Sequence, residues 1–312
     1  LSGVLVTGGT GFVGTAVVNA LMRAGRRVTV AVRRPNPALP PEVRSLIVGE
    51  IGADTDWRDA LAGVESVIHL AARVHVMRET AADADVAFEE VNGAGSRRLA
   101  EAVAAAGLRR MLLVSSIKVN GERTPIDRGF AGDQPPAPED AYGRSKLSAE
   151  RQVLNVLGSR AVILRPPLVY GPGVGGNLAV LMSAIKRGAP LPFGAVRNQR
   201  SLIARDNLAS ALIAALDHPD VAGRCFTLAD GSDFSTPDLI RAIAQAMGKH
   251  ARLPAIPEPW LRFVGRATGR TSMIDRLCSS LLVDPSAFMA TTGWRPDLSP
   301  QAAMAEMAAA YR

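Results

Sequence analysis

Two cysteines in 312 residues, Cys225 and Cys278, are too few and too far apart for a disulfide framework or a cysteine metal cluster. A reducing, cytoplasmic setting is the expectation. Long apolar runs are also missing. Gly, Pro, Arg or a polar residue breaks each one before the roughly 18 residues of a membrane span, so no integral membrane segment is expected. The first strand starts almost at Leu1, so no leader is expected in this chain. No internal repeat is visible. The net charge is +7, yet its arginines are scattered, with no Lys/Arg block and no basic–aromatic interleaving. That argues against nucleic acid and fits an anionic cofactor and small substrate. With 47% hydrophobic and 21% charged residues, the chain is too apolar for disorder and long enough for a large core.

What is present alternates. Short apolar runs at 3–7, 27–32, 45–48, 66–70, 110–114 and 162–164 read as strands. Between them lie helical stretches, notably 12–24, 83–106 and 141–157. Continuous apolar strands separated by helices imply a parallel sheet covered on both faces. After Arg165 the chain becomes rich in turns, with Pro and Gly clustered at 166–176, 188–193 and 254–259. The expected fold is α/β: a Rossmann-like doubly wound parallel sheet with a smaller mixed α/β substrate-binding domain. Residues 1–170, with return segments near 200–228, form the dinucleotide domain and 171–312 mainly the substrate domain. Ligands in such folds bind beyond the strands' carboxyl ends.

Gly8, Gly11 and Gly14 lie at the first strand-to-helix junction, in Thr7-Gly-Gly-Thr-Gly-Phe-Val-Gly14. One glycine permits a tight turn, another lets backbone approach a pyrophosphate, and a third lets helix pack on strand. The helix N-terminus then faces the anion. Gly8, Thr10, Gly11, Phe12, Val13 and Gly14 are therefore cofactor candidates. Where an acidic residue after the second strand would select NAD, this chain has Arg33 and Arg34. Arginine can fork a 2′-phosphate, so NADP(H) is favoured and NAD(H) remains possible.

Tyr142 and Lys146 are four residues apart on one helix face. A phenol near an ammonium can exchange a proton with a sugar hydroxyl as hydride moves. Ser115 and Ser116 follow an apolar strand, where a hydroxyl can bind the reacting oxygen. The catalytic candidates are Ser116, Tyr142 and Lys146.

A series along the chain resembles the extended short-chain dehydrogenase/reductases of the NAD-dependent epimerase/dehydratase family. It comprises the glycine loop at 7–14, His-Leu-Ala-Ala at 69–72, Asn92, Ser-Ser at 115–116, Tyr-Gly-Arg-Ser-Lys at 142–146 and Arg-Pro-Pro-Leu-Val-Tyr-Gly-Pro at 165–172. The resemblance implies two domains, NAD or NADP, and a nucleoside-diphosphate sugar. It implies that Glu50, Ile51, Leu70, Ala71 and Ala72, with Tyr142 and Lys146, border the cofactor. It also implies that Asn177, Leu191, Phe193, Arg200 and Arg276 meet a UDP-sugar, Arg200 gripping its diphosphate. Two departures are visible: Lys118-Val-Asn120-Gly121 replaces the usual Val-Tyr-Gly setting, and Glu50 stands where relatives have Asp. Lys118 and Asn120 join the substrate candidates.

The stretch around Ser116 and the Arg-Leu-Cys-Ser-Ser run at 276–280 are similar to bacterial reductases that form UDP-N-acetylquinovosamine. The expected activity is C4 keto reduction of a UDP-4-keto-6-deoxy-N-acetylhexosamine for surface polysaccharide (O-antigen) synthesis. A UDP-hexose 4-epimerase with tightly held NAD is the alternative. A non-enzymatic NADP sensor and a reductase of a non-nucleotide small molecule are lesser ones. The resemblance implies a homodimer through the helices at 83–106 and 141–157. The basic, amphipathic stretch 260–270 is expected to cover the substrate, with membrane-surface contact as the alternative. No metal is expected.

Overall fold

In a computed structural model, residues 2–74 and 81–311 are described. Among the described residues, ten strands follow in chain order: β1 (Gly3–Thr7), β2 (Arg27–Val32), β3 (Arg44–Ile47), β4 (Ser66–His69), β5 (Arg110–Val114), β6 (Ala161–Arg165), β7 (Leu168–Tyr170), β8 (Arg200–Ala204), β9 (Cys225–Thr227) and β10 (Asp233–Phe234). The larger sheet has the order β3-β2-β1-β4-β5-β6-β9 and is parallel throughout; the smaller has the order β10-β8-β7. This is the doubly wound α/β arrangement expected, with the order reversing at β1 and β4. Observed ends differ slightly from the pattern. β3 begins one residue early and β4 stops at His69, because apolar runs mark burial rather than where ladder pairing stops.

Successive side chains of a strand point to opposite faces. Val4 and Val6 therefore enter one core with helix α1 (Phe12–Arg23), whereas Leu5 enters the other with Trp57. A short helix α2 (Arg58–Leu61) precedes β4. The expected helix at 83–106 is α3 (Ala81–Phe88) and α4 (Gly95–Ala105), joined by a wider π turn at Glu89–Ala94. Helix α5 (Ala141–Leu157) starts at Asp140, whose side chain accepts from Gly143 N at 2.7 Å, and ends at Gly158 with φ +53°.

Beyond β6, helix α6 (Gly176–Lys186) opens a separate core with Tyr170, Met182, Ile185, Phe193 and Ile243. Helix α7 (Arg205–Asp217) returns to the larger sheet and packs on α1, and β9 adds its seventh strand. Helices α8 (Thr236–Ala246), α9 (Glu258–Ala267), α10 (Thr271–Cys278), α11 (Ser286–Thr292) and α12 (Pro300–Ala310) complete the chain. Not all of this part belongs to the smaller unit: Phe288 of α11 and Trp294 join Phe226 in the larger sheet's core. Among the described residues, no helix is long and apolar enough to cross a membrane, and no group of His, Cys, Asp or Glu could hold a metal.

Candidate active site

Elementary sterics divide the roles in the glycine loop. Gly8 has φ +69°, and a Cβ on it would lie 2.8 Å from Ala71 N; one on Gly14 would lie 2.0 Å from Gly8 O. Gly8 makes the turn and Gly14 seats α1 on it. Gly9, outside the three-residue spacing, is equally confined: its Cβ would meet Val30 at 2.7 Å. Its spacing does not mark it, because the tertiary fold is what brings β2 beneath the loop. A Cβ on Gly11 would meet nothing nearer than Gly8 O at 3.3 Å, so the approach to the loop stays open there. Thr10 is exposed, Phe12 and Val13 are half-buried, and the first turn of α1 has no side-chain cap. Its N–H groups are thus available to an anion, and the loop fits a dinucleotide pyrophosphate.

The loop is braced from β4. Thr7 Oγ1 accepts from Ala71 N and lies 2.6 Å from His69 Nδ1, and His69 Nε2 lies 3.0 Å from Ser96 Oγ. Burial first, and the Lys146 charge second, push His69 down to about 3. It is therefore a neutral strut between two hydroxyls. Leu70, Ala71 and Ala72 follow it, half-buried.

At the end of β2, Arg33 and Arg34 line a cleft of about 470 Å³ with Thr10, Asn36 and Glu50. Glu50 already pairs with Arg33 at 3.3 Å, both side chains being exposed. Such a pair is weak and readily exchanged for a phosphate, but it means Glu50 competes for Arg33. Ile51 packs against Gly95, where a Cβ would come within 2.7 Å of its Cγ2, and borders a second cleft of about 710 Å³ with Arg73 and Glu90.

The buried face of α5 carries Gly143, Ser145, Lys146, Ala149, Glu150 and Val153. Two charges in that stripe are what an ordinary core helix avoids. Lys146 Nζ donates to Val114 O at 2.8 Å; burial lowers its pKa to about 8, against the opposing pull of Glu150. The ammonium has three donors, so others remain for a ribose hydroxyl. Tyr142, half-buried, meets Phe88 edge-on at 6.1 Å, with the Ser116 hydroxyl near its phenol. Burial and then the Asp140 carboxylate push its phenol up to about 12, opposed by Ser116. Ser115 Oγ is buried without a partner among the described residues.

Several supports were not read as such from the sequence. Asn92 accepts from Arg73 N at 2.8 Å and donates to Arg73 O and to Ser145 Oγ, tying the segment after β4 to α5. Glu150 takes a two-pronged bond from Arg165 at 2.8 and 2.5 Å, both residues buried. Asp140 was signalled by its N-cap position, one before the helix.

Lys118 and Asn120, expected toward substrate, both have partners within the protein. Lys118 Nζ is held by Glu122 at 2.9 Å and by Asp140. Asn120, buried, donates to Ala131 O and accepts from Arg165, so both ends of its amide are engaged. Asn177 is exposed in the first turn of α6, whose N-cap Gly175 supplies no side chain. Arg200 Nη1 donates to Arg276 O at 2.8 Å and Ser279 O at 3.0 Å. Burial first, then the neighbouring Arg276 charge, lower its pKa, while Glu122 raises it. The two arginines expected at a diphosphate are thus adjacent, and Glu122 links Arg200 electrostatically to Lys118 and Asp140. Leu191 N is taken by Arg252 O at 2.8 Å, and Leu191 O accepts from Phe193 N, so this backbone reads a ligand edge less freely than expected. Phe193 is 7% exposed and packs in the smaller core. The 260–270 stretch turns its aromatic residues outward, and Arg276 of its partner helix α10 accepts from Arg200.

The model of the NAD-dependent epimerase/dehydratase family matches residues 4–229. A Vibrio cholerae protein named UDP-glucose 4-epimerase is 38% identical over 99% of this chain and 95% of its own. Two solved structures share the fold. The UDP-glucuronic acid 4-epimerase of Bacillus cereus in complex with NAD has TM-score 0.79 and 21% identity, covering 99% of this chain and all of that one. The Thermus thermophilus UDP-glucose 4-epimerase complex with NAD has TM-score 0.78 and 24% identity, covering 99% and 98%.

Proposed function

The chain belongs to the NAD-dependent epimerase/dehydratase family and is an NAD(P)-dependent enzyme, and from that premise we propose that it reduces the C4 ketone of a UDP-4-keto-6-deoxy-N-acetylhexosamine. The observation that carries this reading is Tyr142 one helical turn from buried Lys146 on α5, whose Nζ donates to Val114 O at the end of β5, next to Ser115 and Ser116. The cofactor supplies hydride when bound. Ser116 orients the carbonyl oxygen, Tyr142 delivers its proton as negative charge develops there, and Lys146 holds the ribose and steadies the phenol. Burial keeps the phenol protonated at neutral pH, so it can donate. The glycine loop holds the pyrophosphate; Arg33 and Arg34, with Thr10, favour NADP(H). Arg200, Arg276 and the N-terminus of α6 at Asn177 would hold the UDP diphosphate.

The second reading, a UDP-hexose 4-epimerase with retained NAD, is favoured by the Vibrio relative and by Glu50 occupying Arg33. The resemblance also supports a homodimer through α3–α4 and α5, residence in the cytoplasm and a place in surface-polysaccharide synthesis. The deciding experiment gives the protein UDP-4-keto sugars and UDP-hexoses with NADPH or NADH. Stoichiometric NADPH consumption by a 4-keto sugar supports the reductase. Interconversion of UDP-hexoses by protein whose NAD survives gel filtration would replace it with the epimerase.

A further inference from the structure

Helix α9 is amphipathic in the inverted sense. Leu261 and Gly265 face inward, Gly265 against Ile274 of α10. The opposite stripe, at spacing i, i+3, i+4 and i+7, is Trp260, Phe263, Val264 and Ala267. Trp260 and Phe263 are each 64% exposed and Val264 52%, and the two rings stack edge-on at 6.3 Å. Ile256 and Met273 extend the exposed apolar surface on either side in sequence. Large apolar groups grouped on one outer face mark a contact surface.

The charge around this face names the partner. Between Lys249 and Arg270 the chain has five basic residues and one acidic residue. That residue, Glu258, and Asp275 of α10 are taken by Arg262 on the half-buried side. Arg266 and Arg270 stand exposed beside the aromatic stripe. An aromatic stripe flanked by exposed arginines matches the acyl boundary and the phosphates of an anionic bilayer.

We propose that α9 docks the protein on an anionic membrane surface, with Trp260, Phe263 and Val264 at the headgroup–acyl boundary and Arg266 and Arg270 on lipid phosphates. This stands apart from the catalytic reading, since no residue of the stripe belongs to the site. Of the three tryptophans, Trp57 and Trp294 are buried, so Trp260 is an intrinsic reporter. The test is co-sedimentation of the full chain with phosphatidylcholine vesicles and with equimolar phosphatidylcholine–phosphatidylglycerol vesicles, with tryptophan emission followed in parallel. Binding and a blue shift are expected only with phosphatidylglycerol, weakening with salt. Trp260→Ser/Phe263→Ser and Arg266→Glu/Arg270→Glu should each reduce binding at least about tenfold with NADPH affinity unchanged. Absence of binding to the anionic vesicles, or binding that survives both double variants, overturns the proposal. So does a wild-type oligomer in gel filtration that the Trp260/Phe263 variant dissociates, which would assign the face to a second copy.

Discussion

Acid should destabilise this protein through one strut beneath the cofactor loop. His69 is 1% exposed, bonded to Thr7 and Ser96, and held near 3 by burial and the Lys146 charge. Thr7 Oγ1 already accepts from Ala71 N, which leaves its own proton for Nδ1 and makes Nε2–H the donor to Ser96. In the unfolded chain the imidazole titrates at about 6.5. Between those two values the unfolded state binds the extra proton, so stability is full above about pH 6.5 and falls as pH drops toward 3. Integrating from about pH 7 to about pH 4 gives a loss of about 3 kcal/mol from this residue alone. The value depends chiefly on the unfolded pKa, because at about pH 4 the native imidazole is still mostly neutral. Replacing it with His69→Asn removes the titration while leaving a side chain that hydrogen-bonds. Urea unfolding by circular dichroism at stepped pH should then show wild type losing about 3 kcal/mol more than the variant over that interval. Carboxylates titrate in both proteins and cancel in the difference. Equal pH slopes would refute the neutral-strut account.

Other outcomes follow from the same geometry. Tyr142→Phe should lower kcat about 100-fold or more, with UDP and NADPH affinities retained by calorimetry; unchanged turnover removes it from the acid role. Arg33→Ala with Arg34→Ala should cost NADPH about 1.5–3 kcal/mol and NADH little. Equal losses would mean the pair serves only the Glu50 contact and solvent. Arg200→Ala should weaken UDP by about 1.5–3 kcal/mol with NADPH unaffected; a UDP affinity matching wild type would detach Arg200 from the diphosphate. Glu150→Gln should cost about 3–5 kcal/mol of stability, because Arg165 stays buried without its counter-charge. It should also shift any alkaline loss of activity, near 8 if protonated Lys146 is required, to lower pH. A stability and pH profile like wild type would show the fork to be incidental.

The sheet, its parallel sense and the helices α1 and α5 were legible because burial on both strand faces makes each strand a continuous apolar run, and burial of one helix stripe imposes a period of three to four residues. Tyr142 with Lys146 was legible too, since one turn of helix sets their relation locally. What escaped depends on residues far apart in the chain. Gly9 is confined by Val30, 21 positions on, and Asn92 clamps Arg73 and Ser145. The partners of Lys118, Glu122 and Asp140, and those of Asn120, Arg165 and Ala131, likewise carry no mark in the sequence. Leu191 and Phe193 carry no mark in sequence of the Arg252 carbonyl and the core that engage them. The outward turn of Trp260 and Phe263 is of the same kind. Helical periodicity shows that a stripe exists, but which stripe meets protein and which meets solvent is decided by where α10 packs, and in this chain Ile274 takes the side at Gly265.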